Sequence, residues 1–250
     1  MEILNIIIVI LTGLFSAFYG TISGGGALIT IPVLIFVGLP FQVAIATNRF
    51  SAIGITSAGL YRYAKGKKVL FKLAFFLTPF TVVGSLIGAN FLLKIEENIL
   101  EKLIAFLLIS IALLLIFKKD VGLKRKIITR ISNKRKILGA IFAFLLGIYL
   151  GFFGAAWATF FIYFLIFYFG LTFLESAGTI KVINLFSSII ATAIFLIHGK
   201  VNFLYGGLFL VSRAVGSYLG ASFALRRGES FAKILSIVVA LIFGIKLLIG

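Results

Sequence analysis

Long apolar runs, divided by short polar or basic breaks, dominate the chain. Runs close to the roughly 17 to 25 residues needed to cross about 30 Å of hydrocarbon fall near 3 to 22, 44 to 61, 69 to 92, 99 to 117, 137 to 153, 174 to 197, 203 to 225 and 231 to 249. Two shorter runs, 27 to 37 and 157 to 169, lie between them. These are short for a crossing and are expected as half-helices or re-entrant pieces, which membranes tolerate only where the backbone is buried in protein or lines a cavity. The pattern predicts an all-α polytopic membrane protein of eight full spans plus two short segments. The first run is expected to stay as a span: Met1-Glu2 lacks the basic start of a signal peptide, and the run continues into Gly24-Gly25-Gly26 instead of a cleavage site.

Composition narrows the function. The 250 residues are 62% hydrophobic and 12% charged, and mean hydropathy is +1.21, whereas soluble domains are about half apolar and about a quarter charged. With no cysteine and one histidine, disulfides, thiolate ligands and multi-histidine metal or haem sites are out of reach, so no cofactor or metal is called for. The net charge of +17 does not point to nucleic acid, because that reading needs a basic surface on a soluble domain. Instead, 17 of the 24 bases cluster at Arg62–Lys72, Lys118–Lys136 and Arg226–Lys233. The positive-inside bias places those breaks in the cytoplasm; the loop around Glu96 and Glu97, the His198-Gly199-Lys200 loop and both termini then fall outside. The basic cytoplasmic loop 118–136 separates a first half, 1–117, from a second, 137–250.

The halves resemble each other. Laying residues 38–91 on 170–223 matches 13 of 54 positions, among them Thr47/Thr179, Gly84/Gly216, Ser85/Ser217, Gly88/Gly220, Ala89/Ala221 and Phe91/Phe223. Upstream, Gly13-x3-Ala17-x2-Gly20 is similar to Gly147-x3-Gly151-x2-Gly154. Five segments per half make the second half enter the membrane with opposite orientation. This inverted repeat is the plan of many secondary transporters, whose substrate site lies near the midplane between broken helices.

Polar groups inside apolar spans mark the candidate site. Ser23-Gly24-Gly25-Gly26 interrupts an apolar stretch just before a helix start, where orphan N–H donors and the helix dipole attract anions; the alternative is a tight turn or close packing. The corresponding place reads Gly154-Ala155-Ala156-Trp157, without the glycine run, and Trp157 either walls a cavity or packs. Thr47-Asn48-Arg49 and Thr179-Ile180-Lys181 with Asn184 put cations at membrane depth, each costing about 2.5 to 3.5 kcal/mol. Arg49 and Lys181 occupy equivalent repeat positions, and an anion site on the pseudo-twofold axis is expected; snorkelling, or pairing of Lys181 with Glu175, is the alternative. Arg213 is either a third substrate cation or a helix anchor. Glu175, flanked by an apolar span, is the proton-coupling candidate, although it lies near a segment end. His198 reads as solvated, and the Gly84/Gly88 and Gly216/Gly220 pairs read as close helix packing. No catalytic constellation is present, so an enzyme is not expected.

These residues carry a family resemblance. Gly20-Thr-Ile-Ser-Gly-Gly-Gly-Ala-Leu-Ile-Thr-Ile-Pro32, Ala46-Thr-Asn-Arg49, Gly66-Lys-Lys-Val69, Gly199-Lys-Val201 and the two Gly-x-x-x-Gly-Ala endings resemble the TauE/SafE (TSUP) family of sulfite and organosulfonate exporters over nearly the whole chain. The resemblance implies a permease of the prokaryotic inner (plasma) membrane that moves a small sulfur-containing anion such as sulfite or an organosulfonate. The expected function is secondary transport by alternating access of the two halves. An anion channel with the same lining, or a membrane scaffold or receptor subunit acting through the basic loop, is the competing reading. The expected partners are the small anionic substrate and the lipid bilayer, without nucleic acid; a proton or sodium ion as coupling ion, and a homodimer, stay open.

Overall fold

A computed structural model describes residues 2–94 and 133–249. These residues form helices only: α1 (Glu2–Ser23), α2 (Ala27–Phe36), α3 (Phe41–Lys65), α4 (Phe71–Lys94), α5 (Asn133–Phe152), α6 (Trp157–Phe169), α7 (Phe173–Ile197) and α8 (Phe203–Ile249). The predicted span 99–117, the loop around Glu96 and Glu97, and the basic loop up to residue 132 lie outside the described residues. Asn133 to Lys136 form the first turn of α5.

Local chemistry explains where the helices begin and end. Pro40 stands at the N-cap of α3 with φ −55° and ψ 148°, a place where its missing N–H costs nothing. A capping box starts α7: the Thr172 hydroxyl accepts from the Glu175 N–H, while the Glu175 carboxylate accepts from the Thr172 N–H at 3.0 Å. Two helical stretches meet at Gly228 (φ 83°, ψ −174°), between the predicted runs 203–225 and 231–249, and the break is shorter than the basic loop expected there: Arg226, Arg227 and Lys233 are themselves helical. That conformation is essentially confined to glycine, so one residue makes the bend. Glu229 then accepts from Lys68 Nζ at 2.9 Å and from the Leu174 N–H at 2.7 Å, fixing the bend to the start of α7.

Among the described residues, five helices are long and apolar enough to cross a membrane: Ile3–Ser23, Phe71–Lys94, Asn133–Phe152, Phe173–Ile197 and Phe203–Leu235. Their outer faces show why. Ile3, Ile7, Leu11 and Phe15 on α1, Val83, Ile87 and Phe91 on α4, and Ile137, Ile141 and Leu145 on α5 recur at four-residue spacing and are exposed. An apolar belt of that extent is unstable in water and at home in lipid. Helix α3 has the length, but its polar residues face inward: Thr47, Asn48, Arg49, Ser51 and Thr56 are all buried.

Close helix crossings hold the bundle together, and they come in matching pairs. Helix α1 packs on α8 and α4 on α5, while α3 and α7 pack on each other and respectively on α8 and α4. Gly84 and Gly88 of α4 lie against the backbone of Phe144 and Ile148, and Gly216 and Gly220 of α8 against that of Leu14 and Phe18. A Cβ at any of these four positions would strike a backbone carbonyl, so the small residues permit the approach that dispersion and packing between membrane helices require. Hydrogen bonds also join segments far apart in the chain: the Thr47 hydroxyl accepts the Asn202 N–H at 3.0 Å, and the Thr179 hydroxyl accepts the Leu70 N–H at 3.1 Å.

Candidate functional site

Two helix breaks meet in the middle of the bundle. Between α1 and α2 the chain turns through Gly24 and Gly25 at φ 81° and 79°, and between α5 and α6 through Gly154 and Ala156 at φ 71° and 55°. The breaks touch: Gly24 lies against Thr159, whose hydroxyl donates to the Ser23 carbonyl at 3.1 Å. Leu28, Ile29 and Thr30 bond back to Gly25 and Gly26, and Thr159 and Phe160 to Ala156. The N–H groups ahead of them are the donors that every helix start leaves over.

Beside these breaks lies a cavity of about 50 Å³, lined by Gly25, Gly26, Asn48, Arg49, Gly154, Ala156, Trp157, Lys181, Asn184 and Arg213 among others. One buried water needs about 10 to 15 Å³, so the space suits a group of about four heavy atoms. Its charge is one-sided. Arg49, Lys181 and Arg213 are 3%, 4% and 3% exposed, and no carboxylate is among the lining residues.

Among the described residues, each cation is held by neutral acceptors and none by an acid. An Arg49 terminal nitrogen donates to the Leu150 carbonyl, and its guanidinium fills the space that a Cβ on Gly154 would need. Lys181 Nζ donates to the Thr21 hydroxyl at 3.1 Å. These two bonds mirror each other: the α3 cation reaches the end of α5, and the α7 cation reaches the end of α1. Arg213 donates to Asn48 Oδ1 at 2.9 Å and to Ser51 Oγ at 2.6 Å, and the Thr30 hydroxyl reaches the same Asn48 oxygen at 2.7 Å. Nε of Arg49 and Nε of Arg213 are buried without a partner. A buried cation with unspent donors and no counter-charge is expensive, and an anion in the cavity would relieve that cost.

The structure brings together seven of the sequence-predicted residues: Gly25, Gly26, Asn48, Arg49, Lys181, Asn184 and Arg213 line this one cavity. Three others stand beside it. Ser23 Oγ donates to the Tyr19 carbonyl at 3.0 Å, Gly24 faces Thr159, and Thr47 serves the bond to Asn202. Glu175 caps α7, away from the cavity lining. Lining residues passed over by sequence reasoning are Ala52, Ile55, Leu150 and Ala158, small or apolar groups whose side chains carry no chemical signal. Trp157 both lines the cavity and packs, with its ring 4.8 Å from that of Phe161 and its indole N–H without a partner.

A lipid-facing helical bundle enclosing a cation-lined cavity defines a polytopic membrane protein. Comparison with known proteins makes the class specific: the family described as Sulfite exporter TauE/SafE matches residues 9–247, and the chain belongs to that family of transmembrane permeases. A probable membrane transporter protein of Haemophilus influenzae is 27% identical over 94% of this chain and 91% of its own length. The probable membrane transporter protein YfcA of Escherichia coli K12 is 26% identical over 94% and 86%, and the probable membrane transporter protein ORF9 of a Sinorhizobium species is 26% identical over 93% and 88%. No solved structure matches the chain.

Proposed function

We propose that this permease is a secondary transporter of a small sulfur oxyanion, sulfite or a compact organosulfonate, across the inner membrane of a prokaryotic cell. The observation that carries the reading is the cavity of about 50 Å³ walled by Arg49, Lys181 and Arg213 with no acid in its lining. Arg49 and Lys181 neutralise the anion, Asn48 and Asn184 supply hydrogen bonds, and Gly25, Gly26 and Ala156 present backbone donors. Arg213 acts through Asn48, which it holds, and adds the third positive charge. The small volume favours a compact anion over one with a long organic tail.

Transport proceeds by alternating access of two inverted five-segment halves. Support for that symmetry comes from the matched bonds Thr47–Asn202 with Thr179–Leu70, from Arg49–Leu150 with Lys181–Thr21, and from the glycine crossings of α4 on α5 and α8 on α1.

Thermal stabilisation of the detergent-purified protein by sulfite, thiosulfate, sulfate, sulfoacetate, taurine, phosphate and nitrate tests the reading, because a ligand raises stability in proportion to the logarithm of its concentration over Kd. Sulfite or a related sulfur anion is expected to give a selective shift that Arg49→Ala and Lys181→Ala abolish. A shift that survives both substitutions would place the site elsewhere. Counterflow of labelled anion in liposomes distinguishes a carrier, which shows it, from a channel, which does not.

A further inference from the structure

We infer that Tyr19 and Tyr149 are positioning residues that aim backbone N–H groups of the two helix breaks at the anion; the inference rests on the anion-site reading above. The Tyr19 hydroxyl donates to the Gly25 carbonyl at 2.9 Å, and the Tyr149 hydroxyl donates to the Ala155 carbonyl at 2.5 Å. Each tyrosine thus reaches forward six residues, from near the end of a long helix to the break that follows it. Neither has a signature in the sequence, since a tyrosine in an apolar helix reads as packing.

Peptide geometry gives the bonds their consequence. A trans peptide points its C=O and the following N–H in opposite directions, and no peptide in the described residues is cis. With the Gly25 carbonyl drawn to Tyr19, the Gly26 N–H faces the other way; with the Ala155 carbonyl drawn to Tyr149, so does the Ala156 N–H. Gly26 and Ala156 line the cavity, and neither tyrosine does. Were either peptide to flip, it would present a carbonyl oxygen to an anion and repel it. The flip is a real alternative, because a residue at positive φ stands beside each peptide: Gly25, which moves between conformations at little steric cost, and Ala156, whose left-handed conformation is strained.

The two tethers differ in weight. The Gly25 carbonyl also accepts the Leu28 N–H at 2.9 Å, as the first bond of α2. Among the described residues Ala155 has Tyr149 as its one donor. The second break therefore depends more on its tyrosine.

The test is uptake of labelled sulfite into liposomes by the full-length protein, read as KM against maximal rate, with the melting temperature of the ligand-free protein measured alongside. Tyr149→Phe is expected to raise KM about tenfold and Tyr19→Phe about threefold, in keeping with the loss of one hydrogen bond each; maximal rate and ligand-free melting temperature stay near those of the unaltered protein. Tyr63→Phe removes a comparable buried bond, to the Thr21 carbonyl at 3.2 Å, and is expected to leave KM alone. If Tyr149→Phe fails to fold, the threefold effect of Tyr19→Phe decides the matter. Unchanged KM in the tyrosine variants, together with lost sulfite binding in Arg49→Ala, would overturn this inference and leave the anion site standing. A fall in melting temperature and rate at constant KM would overturn it in favour of a purely structural role. Failure of the unaltered protein to bind sulfite would overturn the anion-site reading and this inference with it.

Discussion

The break between α1 and α2 reaches positive φ at two glycines, Gly24 and Gly25, whereas the break between α5 and α6 does so at Gly154 and at an alanine, Ala156 (φ 55°). Both breaks start a short helix, both are tied to a tyrosine, and both contribute to the same cavity. The second manages with one glycine because its surroundings hold it in place. The Arg49 guanidinium presses on Gly154, and Thr159 and Phe160 bond back to the Ala156 carbonyl. A left-handed alanine costs about 1 to 2 kcal/mol relative to the ordinary conformation, a strain that persists only where neighbouring contacts over-determine it. The comparison teaches that a Gly-Gly-Gly string is one way to build such a turn and not a requirement for it.

Substitution at the glycines is the harshest way to break this comparison. Gly154→Ala meets both a positive φ and the Arg49 guanidinium, so it should destabilise the protein by about 2 to 4 kcal/mol and abolish anion binding. Gly25→Ala meets only the φ, since its nearest neighbour would be the Leu28 side chain at 3.5 Å; about 1 to 2 kcal/mol is expected. Denaturation in mild detergent measures both, and equal losses would mean that Arg49 does not brace the second break.

Smaller effects test the proposed symmetry between the halves. Thr47→Val and Thr179→Val each remove one side-chain acceptor from a backbone N–H of the opposite half, and each should cost about 1 kcal/mol. A difference well beyond that scale between the two would argue against equivalent roles. The mildest case is Ala156→Gly, which should stabilise by up to about 1 kcal/mol by relieving the left-handed alanine. A destabilised Ala156→Gly would show that the methyl group contributes packing greater than the strain it carries.

Much of the molecule was legible in the chain. Apolar runs gave the positions of all eight described helices, because a membrane core forces backbone groups to pair within a segment and leaves hydrophobic length as the dominant signal. Arg49, Lys181 and Arg213 were legible as candidates because a cation in an apolar span is costly enough to need a reason. The roles of Thr47 and Glu175 were not. A polar side chain near a helix start can bind a ligand, clamp a facing segment or cap its own helix with equal local plausibility; the Thr47 hydroxyl accepts from Asn202, and the Glu175 carboxylate caps α7. The break between runs 203–225 and 231–249 is legible in the same way, but not that a single residue, Gly228, makes it, because bases on both sides suggest a longer solvated loop.

By itself the sequence determined the helical class, the apolar runs long enough to cross a membrane, the clustering of bases and the repeated motifs, since each follows from local hydrophobicity, charge or residue spacing. Only the tertiary structure decided which polar groups face one another. It brought α3 and α7 side by side so that Arg49 and Lys181 reach across to the opposite halves, set Arg213 on Asn48, and left a cavity of about 50 Å³ between helix breaks more than a hundred residues apart in the chain. The physical reason is that burial and hydrogen bonding of a membrane cation depend on partners from distant segments, and no local pattern encodes which distant segment will supply them.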